Sequence, residues 1–161
     1  STLSNITDSI LVELHSDIAP YGLFDSKTTI LNTDGTASCV FPALTNSYYI
    51  VIKHRNALQT WSANPIAFVG NTTSYDFTTA ANKAYGNNMV EIEPGIWSLY
   101  AGDLNDDENI DLLDNSILDT DISAFQFGYF ATDINGDGNV DLLDSPIVEG
   151  NILNFVFASH P

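Results

Sequence analysis

Two short stretches crowd oxygen-bearing side chains at a fixed spacing. DLNDDENIDLLD runs over Asp103–Asp114 and DINGDGNVDLLD over Asp133–Asp144. In the first, Asp103, Asn105, Asp107, Asn109, Asp111 and Asp114 fill positions 1, 3, 5, 7, 9 and 12. In the second, the same positions hold Asp133, Asn135, Asp137, Asn139, Asp141 and Asp144. No lysine or arginine stands in either stretch to relieve the repulsion. A hard cation would. Calcium takes about six to eight oxygens at roughly 2.3–2.6 Å in flexible geometry. The order D-x-[DN]-x-[DN]-G with an acid at position 12 is the calcium-loop signature. Side chains at 1, 3 and 5 supply oxygens, position 7 gives its backbone carbonyl, position 9 acts through water, and the acid at 12 closes the shell with both oxygens. Two calcium ions are therefore expected.

The two stretches belong to a longer repeat. Residues 103–130 aligned on 133–160 by an offset of 30 agree at 12 of 28 positions. The matches include apolar pairs (Leu112/Leu142, Leu113/Leu143, Ile117/Ile147, Ile122/Ile152, Phe125/Phe155, Phe127/Phe157), so the repeat covers a structural unit and not just its acids. The loops differ at position 6, which turns the backbone sharply. The second loop has Gly138 there and the first has Glu108. A Cβ at positive φ costs on the order of 1 kcal/mol, so the first site is expected to bind more weakly or to relax its turn.

An aspartate at position 12 and the spacing of the repeats resemble dockerin type I modules over residues 103–161. That resemblance implies two calcium loops, each followed by one helix beginning near Leu112 and Leu142, with the helices packed together. It implies that Phe125, Phe127, Phe155 and Phe157 close the core, and that Ile110 and Val140 join the loops across a β-bridge. Dockerins bind cohesin modules, commonly through small hydroxyl residues at positions 10 and 11. Here those positions hold Leu112-Leu113 and Leu142-Leu143, which are expected to pack inside the protein.

The first hundred residues have a different character. They carry 8 acidic and 4 basic residues, whereas residues 101–161 carry 13 acidic and none basic. That step sets the expected division at 1–100 and 101–161. ILVELHS (Ile10–Ser16), TTILN, ASCVF, YYIVIKH (Tyr48–His54), PIAFV, TSYDF, NMVEI and GIWSLY read as short strands. Asp34-Gly35 between two of them marks a hairpin, and Thr78–Tyr85 is expected to hold one helical turn. Strands at this spacing predict an antiparallel β-sandwich. YYIVIKHRNALQTWS and AYGNNM resemble Ig-like or prealbumin-like modules that precede dockerin-like repeats in secreted multimodular bacterial proteins. The fold class expected is α+β: an N-terminal β-sandwich packed against a small two-helix module, with only Ala101-Gly102 at the junction.

Other chemistry finds little support. The net charge of −17 argues against nucleic acid or anionic membrane as a partner, and no apolar run is long enough to span a bilayer. His15, His54 and His160 are widely spaced, without the cysteines of a zinc site. Cys39 has no partner for a disulfide and sits in an apolar run. Catalytic signatures such as Gly-x-Ser-x-Gly, His-Glu-x-x-His or a phosphate loop are missing, so no enzyme is expected. Lys53-His54-Arg55 reads as an anion site or, more simply, a charged strand end. Trp61, Trp97, Tyr85 and Tyr100 read as a sugar-stacking platform or, more simply, as core. Asn5-Ile6-Thr7 and Asn71-Thr72-Thr73 match the glycosylation acceptor pattern, of little weight in a bacterial protein. The expected role is that of a non-catalytic, calcium-stabilised module of a secreted or cell-surface protein. A dockerin that recruits a polysaccharide-degrading enzyme to a cohesin, and a polysaccharide-binding sandwich, are the alternatives.

Overall fold

The computed structural model describes residues 6–42, 44–68 and 72–161. Both asparagines of the acceptor motifs, Asn5 and Asn71, lie outside the described residues. The fold is α+β, with antiparallel strands and two helices. The chain divides into two compact units. Residues up to His54, Thr60–Trp97 and Ser159–Pro161 form the first; Arg55–Gln59 and Ser98–Ala158 form the second. The second unit thus includes a five-residue segment from deep within the N-terminal half.

The first unit is built on two long β-prone runs. β1 (Ile6–Ser16) pairs antiparallel with β2 (Leu23–Asn32) on one side and with β3 (Ser47–His54) on the other. β4 (Ala57–Trp61) follows β3, giving the order β2-β1-β3-β4, and β5 (Ile66–Ala67) also pairs with β3. Ile10, Val12 and Leu14 alternate along β1 and are all buried, as period-2 patterning requires. Glu13 is buried too, but it meets His15 at 2.9 Å and Lys53 at 3.8 Å. A core cluster of Tyr49, Val51 and Trp61 takes in Tyr21 and Tyr85.

The expected strands form less sheet than the pattern promised. The Asp34-Gly35 turn is present, with Gly35 at φ +80° and its N–H donating to the Asn32 carbonyl at 3.0 Å. Beyond it, pairing amounts to the single bridge Leu31↔Ala37, so ASCVF does not become a strand. TSYDF is likewise irregular. NMVEI and GIWSLY supply a two-stranded ladder, β6 (Val90–Glu93) with β7 (Ile96–Ser98). The turn expected over Thr78–Tyr85 appears as two short 3-10 segments at Ala81–Lys83 and Tyr85–Asn87. Where strand spacing predicts facing sheets, the described strands make one five-stranded sheet and this ladder.

In the second unit, α1 (Leu112–Ser123) and α2 (Ser145–Leu153) pack against each other. Asp111 caps α1, its carboxylate accepting from the Leu113 N–H at 2.7 Å, while the Asp114 side chain accepts from the Asp111 N–H in a capping box. α2 begins at Ser145, three residues later than its repeat partner. Pro146 in its first turn lacks an N–H and favours a helix start there. The core joins Leu118 and Val148 from the helices with Ile110 and Val140 from the loops, Val156 and Ala158 from the chain end, and Leu58 from the Arg55–Gln59 segment. Among the described residues no helix is long and apolar enough to cross a membrane.

Candidate metal centre

The loops come from sequence that cannot stay regular. Each reverses its backbone at positions 4 and 6, with Asp106 at φ +57° and Glu108 at +72° in the first, and Gly136 at +76° and Gly138 at +88° in the second. The first loop therefore keeps the left-handed turn in spite of its side chain. Glu108 is tied on both ends. Its Oε1 accepts from Gln59 Nε2 at 2.7 Å, and its carbonyl accepts from the Ala158 N–H at 2.7 Å.

Those turns wrap the position-1 carboxylates in amides. Asp103 Oδ1 accepts from the Asp107 N–H and its Oδ2 from the Glu108 N–H, both at 3.2 Å. Asp133 does the same with Gly136 at 2.9 Å and Gly138 at 3.0 Å. At position 12, Asp114 accepts from Leu104, Asn105 and Asp111 N–H groups, and Asp144 from Ile134, Asn135 and Asp141. Positions 3, 5 and 7 form the exposed rim. Asn105 and Asn109 donate to Asp107, as Asn135 and Asn139 donate to Asp137. Asp111 and Asp141, at position 9, take the Leu113 and Leu143 N–H groups.

Charge is the unusual feature. Asp103 and Asp133 are 2% and 5% exposed, and Asp114 and Asp144 are fully buried. The ion pairs among the described residues, Glu13 with His15 and Lys53 and Asp8 with His54, lie elsewhere. Burying a carboxylate without a counter-charge is costly. In Asp103 the effect surfaces as a pKa pushed up to about 6, chiefly by burial; the Asp107 amide opposes the shift and the Asp114 charge adds to it. The exposed Asp107 and Asp137 move the other way. The Asn105 side chain holds Asp107 low, and the Asn139 backbone N–H holds Asp137 low. In this arrangement no three His, Cys, Asp or Glu side chains among the described residues converge as ligands. A calcium loop, however, draws much of its shell from amide and backbone oxygens. The donor set of two buried carboxylates per loop, ringed by Asp and Asn oxygens and without a basic partner among the described residues, fits a hard divalent cation.

Several expectations are corrected here. Ile110 and Val140 share the core, but no bridge joins them. The Ile110 N–H donates to the Val156 carbonyl and the Val140 N–H to the Gln126 carbonyl, so each loop pairs with the segment after the opposite helix. Phe125, Phe127, Phe155 and Phe157 do not close the core. They are 86%, 77%, 84% and 60% exposed, because smaller Val156 and Ala158 occupy that place. Leu112, Leu113, Leu142 and Leu143 do not pack inside either; all are more than half exposed, standing where the capping turns point outward.

The basic triplet does not act as one site: Lys53 approaches Glu13, His54 meets Asp8 at 2.9 Å, and Arg55 lies over the Tyr129 ring and donates to the Phe130 carbonyl. Trp61 is buried, so it cannot serve a sugar platform; His15 and His160 flank it at 4.4 and 5.6 Å. Sequence reasoning missed Gln59 and Asn56, whose Nδ2 donates to the Asp133 carbonyl at 3.3 Å. Nothing in the stretch NALQTW signals contacts 77 and 49 residues downstream.

No protein-family model matches the chain, and no curated protein or solved structure matches it either.

Proposed function

We propose that the chain is a non-catalytic module of a secreted or cell-surface bacterial protein, in which two calcium ions bound by dockerin-like loops stabilise the fold. The observation that carries this reading is the set of four buried aspartates, Asp103, Asp114, Asp133 and Asp144, none of them in an ion pair among the described residues. Calcium, when bound, supplies the missing positive charge. Asp103, Asn105, Asp107, Asn109, Asp111 and Asp114 would hold one ion, and the equivalent set from Asp133 to Asp144 the other. The chain's own contribution is preorganisation. Turns at positions 4 and 6 fix the position-1 carboxylate, and the capping turn fixes position 12. Binding energy then becomes folding energy. Extracellular modules of this kind are tuned to roughly 0.1–1 mM calcium, which places the ordered state outside the cell.

Calorimetric titration of chelator-stripped protein with calcium, followed by melting with and without the metal, tests the proposal. The expected result is two bound ions and a strongly raised melting temperature. No binding at millimolar calcium would sink it.

A second reading, that of a docking module for a cohesin-like partner, is favoured by one observation. The paired leucines at positions 10 and 11 are exposed in both repeats. Calcium-dependent complex formation with a cohesin, lost in a variant with serine at all four leucines, would separate this reading from a purely structural one.

A further inference from the structure

We propose that the first unit carries a binding cleft for a neutral oligosaccharide, at the end of the sheet where β1 runs out. The cleft has a volume of about 520 Å³, within the roughly 300–1,000 Å³ of small-molecule sites. Sheet register builds it. Ser16 pairs with Tyr48, Tyr48 with Ile66 and Ser47 with Ala67, so the last residues of β1, the first of β3 and the short β5 meet at one corner. The start of β2 brings Phe24 to the same place.

The lining combines three rings with polar groups. Tyr48 is buried and backs the two rings that face the cleft. Phe24 lies 4.6 Å from it at 40°, and Phe68 packs edge-on at 5.9 Å. Phe24 is 55% exposed, so much of an aromatic ring is left uncovered at the mouth. Asp17, Thr45 and Asn46, all exposed, bring carboxylate, hydroxyl and amide groups to the rim. Among the described residues no basic side chain lines the cleft, which disfavours an anionic ligand on a chain of net charge −17.

A sugar ring matches this chemistry from both sides. Its C–H faces lie against aromatic rings, and its hydroxyls take and give hydrogen bonds to carboxylate, amide and hydroxyl partners. A quaternary ammonium also suits aromatics beside one carboxylate. It would fill only part of such a volume and would leave the hydroxyl and amide groups unused. This site uses none of the residues expected to hold calcium.

Calorimetry with neutral glucan, xylan and mannan hexasaccharides, in calcium-containing buffer, tests the proposal. At least one should bind saturably. Phe24→Ala should weaken it about tenfold, the scale of one aromatic stacking contact, while Trp97→Ala, outside the cleft, leaves it unchanged. Asp17→Asn keeps an acceptor and should retain sugar binding. Circular dichroism checks that each variant remains folded. Absence of binding at millimolar sugar, unchanged affinity in folded Phe24→Ala, or displacement of the sugar by choline would each overturn the proposal. Calcium titrated in the same instrument reports on the metal loops separately, so failure of one reading is not mistaken for failure of the other.

Discussion

Gln59 Nε2 donates to Glu108 Oε1 at 2.7 Å, and through that bond a strand residue holds the side chain that stands where the second loop has Gly138. Glu108 sits at φ +72°, where its counterpart Gly138 sits at +88°. The strain is on the order of 1 kcal/mol, and a typical side-chain hydrogen bond contributes a similar amount, about 0.5–1.5 kcal/mol. The two nearly offset. We expect Gln59→Ala to cost about 1 kcal/mol in calcium-saturated denaturant unfolding and to weaken the first site selectively. Glu108→Gly in that background should recover most of the loss. Additive effects of the two substitutions would show that the bond does not compensate the strain.

On the proposed reading, position 12 should decide the calcium stoichiometry. Asp114 and Asp144 are both fully buried and each accepts three backbone N–H groups. Asp144→Asn keeps the shape but removes the charge and turns one acceptor into a donor. Titration should then report one calcium ion instead of two, with the first site retained. Asp144→Ala should also lower stability by about 2–3 kcal/mol even without metal, because buried amides lose their acceptor.

The pH response of the two metal states should be opposite. Asp103 has a folded, metal-free pKa of about 6 against an ordinary value of 3.8. A raised folded pKa means that its contribution is present below pH 3.8 and is lost as pH rises through 6. The metal-free protein should therefore lose on the order of 1–3 kcal/mol from this group between about pH 4 and 7. Calcium requires the ionised form, so its affinity at the first site should fall about tenfold per pH unit below 6. Melting curves at pH 5 and 7.5, with calcium and with chelator, check both directions.

Gly102 tests how tightly the loop entry is packed. It sits at φ +118°, and an added Cβ would stand 3.2 Å from Val148 Cγ2 and 3.3 Å from Ile110 Cγ2. Gly102→Ala combines backbone strain with overpacking and should cost about 2–4 kcal/mol. Its N–H also donates to the Asn56 carbonyl at 2.7 Å, so the displaced backbone would disturb a second contact. Gly136→Ala, where a Cβ meets nothing within 4 Å, should cost only the strain of about 1 kcal/mol.

What was legible in the sequence follows from range. The acidic loops, the start of α1 at Leu112 and the alternation of β1 are local patterns, and each appears where its residues placed it. The division of the chain was less local. Arg55–Gln59 sits inside a β-rich run, yet Leu58 packs with Leu118 and Val148, a choice made by tertiary packing. The leucine and phenylalanine pairs misled for a related reason. Apolar identity in a repeat implies burial, but the core volume was already filled by Ile110, Val140, Val148 and Val156. Phe125 and Phe155 even occupy φ +53°, where glycine usually ends a helix, and gain no burial for it.

Exposed leucines carry the last prediction. Leu112, Leu113, Leu142 and Leu143 are 70%, 61%, 73% and 65% exposed. Were they core residues, each change to a small polar side chain would cost about 2–5 kcal/mol. At these exposures each should stay within about 0.5 kcal/mol of neutral. The fourfold serine variant should thus melt within a few degrees of the parent in calcium, and it should bind less of a hydrophobic dye, since four exposed apolar side chains are removed. Melting lowered by tens of degrees would mean that the leucines are buried against something in the folded protein. Retained stability with loss of a partner complex would mean that the surface is kept for docking.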